Sequence, residues 1–208
     1  PTKPTTPLAE VMLLIDNAHG YIGRSRGQYL ENIKTVLQTT YKNIGLRMKV
    51  TYKYIPDVSP PWLDEFTGSG KLIRFRDWLS TKPYYHTQIS YILLTGLIDG
   101  NIVGIAGIGT FCRGGTGVVE RRDLLGTAKV VAHELAHTLG VQHNTFGGNL
   151  IPDISECQDS KLIMSPYIVS NEMNWGICSR IWLKSYIERN QNCFSRMGSC
   201  YERKSQMD

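Results

Sequence analysis

The chain has 208 residues, 41% apolar and 20% charged, with a net charge of +5. That suits one domain with a sizeable core and excludes wholesale disorder. No run of about 18 apolar residues occurs, so no membrane span is expected. The basic residues are scattered, so no nucleic-acid partner is expected.

Pro1–Leu8 is a Pro/Thr-rich lead-in, and a start without Met reads as that of a processed or trimmed chain. Glu10–Asp16 is an apolar run of strand length, closed by the turn chemistry of Asn17-Ala18-His19-Gly20. Gly27–Tyr41 carries Leu30, Ile33, Val36 and Leu37 at helical spacing, and Gly45 stops it. Leu46–Ile55 alternates apolar and polar residues, which predicts a strand with one wet face. Leu72, Phe75, Trp78 and Leu79 mark a second amphipathic helix, and Ser90–Thr95 a buried strand. Gly104–Phe111 is a third apolar run, rich in glycine, and a short strand follows over Gly117–Glu120. Leu125–Leu139 is a helix, Asn144–Asn174 is irregular, a last helix covers Cys178–Glu188, and Ser195–Asp208 is a polar tail. This order predicts an α/β fold, one mixed, twisted sheet with helices against it, beside a small irregular C-terminal subdomain.

The five cysteines are Cys112, Cys157, Cys178, Cys193 and Cys200, with no CxxC pair, which argues against a zinc ribbon or a thioredoxin-type site. Two disulfides and one odd cysteine, in an oxidising compartment, is the first reading; five thiols in a cytosolic enzyme is the alternative.

Residues 133–143 read HELAHTLGVQH. His133 and His137 lie four apart, so both imidazoles leave one helix face a turn apart and can reach one ion. Gly140 ends the helix in a left-handed turn that brings His143 round to the same ion. Three imidazoles leave a fourth position open, as catalytic rather than structural zinc sites do. Glu134, beside the first ligand, can take a proton from a water there without becoming a ligand. The expected cofactor is one Zn2+ ion and the expected chemistry is hydrolysis without a covalent intermediate, with Glu134 as general base. His19 and His86 have no such partners in the sequence and read as structural.

HExxHxxGxxH is the metzincin signature, and the chain resembles that clan. Met164, in Ile163-Met164-Ser165-Pro166, stands where metzincins place the Met-turn under the metal. Within the clan the chain is similar to the adamalysin/reprolysin family of venom metalloproteases and ADAM catalytic domains, over nearly its whole length to Phe194. Glu10–Asp16 resembles that family's opening strand, Leu93-Leu94-Thr95 its central strand, and Gly104–Cys112 its substrate-edge strand. The resemblance implies a single metalloprotease catalytic domain over 1–208. Within it, an upper subdomain (1–145) would carry the zinc helix, a lower subdomain (146–194) the Met-turn, and 195–208 would be a tail. It implies a secreted, extracellular endopeptidase, a venom or saliva toxin protease, acting on an extended polypeptide as a monomer. It implies disulfides Cys112–Cys193 and Cys157–Cys178.

Two departures stand out. The family usually has Asp after the third histidine, where this chain has Asn144. Its calcium site uses a Glu on the first strand, matched by Glu10, but its Asp and Asn positions are not matched, so calcium is not expected. For substrate, Gly104, Ile105, Ala106, Gly107 and Ile108 are expected to form an edge strand that pairs with a peptide backbone. Ser165, Pro166 and Tyr167 are expected to form an apolar pocket wall without Lys or Arg, selecting an apolar residue after the cut bond. A scaffold kept for binding, and a zinc hydrolase acting on non-peptides, are the rival readings.

Overall fold

The computed structural model describes residues 6–17, 25–55, 60–65, 67–96, 98, 102–143, 161–167 and 170–194. The first apolar run forms β1 (Leu8–Ile15), buried on both faces as a central parallel strand must be. Then come α1 (Ser25–Lys42), β2 (Arg47–Tyr54), α2 (Gly68–Ser80), β3 (Ile89–Thr95), β4 (Gly104–Ala106), β5 (Thr116–Glu120), α3 (Leu124–Thr138) and α4 (Ile177–Arg189). The sheet order is β2-β1-β3-β5-β4. All pairs are parallel except β4–β5, which is antiparallel.

β2 and β3 flank β1 on opposite sides, so right-handed crossovers place α1 and α2 on opposite faces of the sheet. The period-two alternation of β1 serves both layers. Val11, Leu13 and Ile15 pack in the core that holds α1 and α3. Leu14 packs with Phe75 and Leu79 of α2 and with Trp62. β2, an edge strand, has the wet face its alternation predicts: Met48 and Val50 are buried and Arg47, Thr51 and Lys53 exposed.

The eight-residue apolar run Gly104–Phe111 is a strand only as far as Ala106. The reason is local. Gly109 takes φ +66°, and Thr110 Oγ1 donates to the Gly107 carbonyl at 2.9 Å, which closes a turn. A short 3-10 turn over Phe111–Arg113 follows.

α3 starts at Asp123, whose carboxylate accepts from the Gly126 N–H at 2.7 Å. It is buried on nearly every side, and Tyr41 of α1 donates to its Ala132 carbonyl at 2.7 Å. It ends at Gly140, with φ +81°, as the chain turns back and Val141 donates to the Ala136 carbonyl. Cys112 is bonded to Cys193, just beyond α4. Cys178 is also disulfide-bonded, and Cys157, expected as its partner, lies outside the described residues. So do Cys200, Asn144, His19, the boundary at 145/146 and the tail 195–208.

Candidate active site

α3 sets the first two imidazoles and the turn at Gly140 brings in the third. His143 Nε2 lies 3.0 Å from His133 Nε2 and 3.1 Å from His137 Nε2. On the far side of each helical ring, Nδ1 meets a backbone carbonyl: Ile163 at 2.7 Å for His133 and Val141 at 2.7 Å for His137. A carbonyl only accepts, so each neutral ring carries its proton on Nδ1 and a lone pair on Nε2. Two lone pairs thus converge on a third ring nitrogen. Nitrogen donors at roughly 2.0–2.1 Å from one tetrahedral ion would stand about 3.3 Å apart, so this donor set fits zinc.

Burial reinforces the fit. It pushes the His133 pKa down to about 3, with the neighbouring His137 also acting against its charge. Burial likewise takes His137 down to about 4 and lowers His143. Burial thus favours the neutral form of all three rings, the form a ligand must have.

Glu134 is 4% exposed. Burial pushes its pKa up to about 8, and among the described residues its Oε2 has no hydrogen-bond partner. Glu134 is thus a buried carboxyl next in sequence to His133.

A cavity of about 480 Å³ opens over these groups. Of the residues expected to hold substrate, Gly104, Ile105, Ala106, Ile108, Ser165 and Pro166 line it; Gly107 and Tyr167 do not. Gly107 has left the strand, and Tyr167 is 74% exposed. Met164 is fully buried in the core shared with α3 and does not line the cavity.

Beyond the expected wall of Ser165, Pro166 and Tyr167, the cavity includes a cation. Lys129 lines the cavity although it is 2% exposed. Its ammonium donates to the carbonyls of Lys161 at 3.1 Å and Ser170 at 2.8 Å. The signal is present in the sequence: position 129 is one helical step of four before His133, hence on the same face. Ile102, Val103, Val130, Gln142 and Ile163 also line the cavity, brought there by the fold.

The backbone of β4 has a definite polarity. Val103 O accepts from Glu120 N at 2.9 Å and Gly107 N donates to Thr116 O at 3.3 Å, with Ile105 opposite Val118. In an antiparallel pair the intervening residues turn their N–H and C=O groups outward. Gly104 and Ala106 therefore present theirs to the open edge of the sheet.

The family profile described as "Reprolysin (M12B) family zinc metalloprotease" matches residues 68–197, more than half of the chain. The human protein "A disintegrin and metalloproteinase with thrombospondin motifs 20" is 23% identical over 86% of this chain and 10% of its own length. The "Zinc metalloproteinase-disintegrin-like" protein of Cerberus rynchops is 35% identical over 44% of this chain and 15% of its own. The chain thus spans a small fraction of the curated relatives it matches. Among solved structures, "metalloproteinase-II from Bacteroides fragilis" superposes with a TM-score of 0.60 at 18% identity, covering 89% of this chain and 55% of that one; this likeness concerns the fold.

Proposed function

Because the chain belongs to the reprolysin (M12B) family of zinc metalloproteases, we propose that it is a zinc-dependent endopeptidase in which Glu134 is the general base. The observation that carries this reading is the convergence of three ring nitrogens in a cavity that the buried Glu134 carboxyl also lines. His133, His137 and His143 would hold one zinc ion. Bound there, zinc supplies Lewis-acid polarisation of a carbonyl and a lowered pKa for water.

The chain's own groups do the rest. Gly104 and Ala106 offer outward N–H and C=O groups to an extended peptide, as an added strand. That edge favours a peptide over a non-peptide substrate. Glu134 accepts a proton from the attacking water on its carboxylate and returns it to the leaving amine nitrogen. The cavity walls Ile105, Val130, Ile163 and Pro166 are apolar. They favour an apolar residue after the cut bond, worth roughly 1–3 kcal/mol over a small one.

The disulfides, the metalloproteinase-disintegrin-like relatives and the resemblance to venom metalloproteases support a secreted, extracellular protease of toxin type. Digestion of a peptide library, read by mass spectrometry with and without chelator, tests the reading. Chelator-sensitive cuts before apolar residues are expected. Cuts that persist in excess chelator, or none at all in zinc-loaded protein, would overturn it.

A further inference from the structure

Gly104 lies where the edge strand passes close to α3. A Cβ built there would fall 2.5 Å from Glu134 Oε1, 2.8 Å from Glu134 Cγ and 2.6 Å from Val130 Cγ1. Val130 and Glu134 are one helical turn apart, so the obstruction is a stretch of helix surface. Gly104 is not among the glycines with positive φ. Its backbone is ordinary strand that any residue could adopt, and the demand for glycine comes from space alone. Its neighbours differ: Ile105 and Ala106 carry side chains, and a Cβ on Gly107 would meet only Thr110.

Among the described residues Oε2 makes no hydrogen bond, and Oε1 and Cγ lie against the backbone of β4 at Gly104. Glu134 is buried except towards the cavity that it lines. A side chain pushed off Gly104 has that cavity beside it.

We propose that Gly104 is the positioning residue for Glu134: its missing side chain is the slot that holds the carboxyl beside the three imidazoles, directly below the strand edge that pairs with substrate. This rests on the reading of Glu134 as the base. The same residue then sets two things, the line of the peptide through its outward backbone groups and the place of the base through its lack of a Cβ.

The test is Gly104→Ala, with Glu134→Gln and the double variant, in zinc-loaded protein. Crystal structures should show the Glu134 carboxyl moved by about 1 Å or more while the β4–β5 ladder is kept. Zinc content should match wild type. The fall should lie in kcat, on the order of 100-fold, with KM changed only a few-fold. In the Glu134→Gln background, Gly104→Ala should cost at least about tenfold less in kcat than it does in wild type, because the group it displaces no longer acts. A loss that repeats in full in that background would show a merely structural role. A carboxyl left in place, or a lifted strand with raised KM and spared kcat, would overturn the proposal. Should Gly104→Ala fail to fold, Gly104→Ala/Val130→Ala removes the helix-side overlap, keeps the overlap with Glu134, and is read the same way. Wild-type protein without peptide hydrolysis would sink the peptidase reading, while the crystal structures would still decide whether Gly104 places the carboxyl.

Discussion

Gly109 donates its backbone N–H to the carbonyl oxygen of His137 at 2.9 Å, and that oxygen also accepts from Gly140 at 2.9 Å. The turn that ends the edge strand is thereby fastened to the last turn of the ligand helix. Gly109→Ala must hold φ near +66°, at a cost of about 1 kcal/mol. Peptide KM should rise several-fold with zinc content unchanged; unchanged KM would show that this fastening does not govern the strand.

His137→Ala removes one of three converging nitrogens and should bring zinc content close to zero, as read by atomic absorption. Wild type should lose activity in chelator and regain it with added zinc.

Glu134→Gln should keep zinc and fold yet lose roughly 10²–10⁴ in kcat, since the amide cannot take the proton. Near-wild-type turnover would mean that another group serves as base.

Chelated protein gives a pH signature. Burial raises Glu134 from 4.5 to about 8. The unfolded chain ionises this group above 4.5 while the folded chain keeps it protonated, so folding loses stability as pH rises through that window. Glu134→Gln removes the loss. Its stability relative to wild type should therefore increase from pH 5 to pH 8, by a few kcal/mol at about 1.4 kcal/mol per unit. The histidines act with the opposite sign. Their values fall below 6.5, so both proteins should lose stability as pH drops from 6.5 towards 4. A difference independent of pH, in urea titrations, would refute the assignment.

Lys129→Met should leave the carbonyls of Lys161 and Ser170 without the ammonium they now accept from, costing roughly 1–3 kcal/mol. With the wall less firmly held, the cleavage profile should broaden at the residue after the cut bond. An unchanged profile would assign Lys129 to stability alone.

The ligand triad is legible in the sequence because its geometry is local: a spacing of four on a helix, then a glycine where only a left-handed turn returns the chain. Most strands are legible for the same reason, by period. β4 is shorter than its composition suggests, because a Gly-rich apolar run has strand composition up to Gly109 and nothing in composition reveals a positive φ. Lys129 is visible by its spacing, but a lysine reads as a surface residue until two carbonyls from a distant segment are found around its ammonium. The approach of Gly104 to Glu134 joins β4 to α3 across about thirty residues of sequence, and no local pattern encodes it.

The carbonyl of Ile163 fixes the proton of His133, and the segment that provides it continues into Ser165 and Pro166 of the cavity wall. On the proposed reading, taste in substrates and grip on the ion would not be separate traits. A lineage that reshaped this wall to accept a new side chain would also shift the oxygen that orients His133. Variation should more readily accumulate at Ile102 and Ile108 on the exposed rim, where selectivity can drift without loosening the metal.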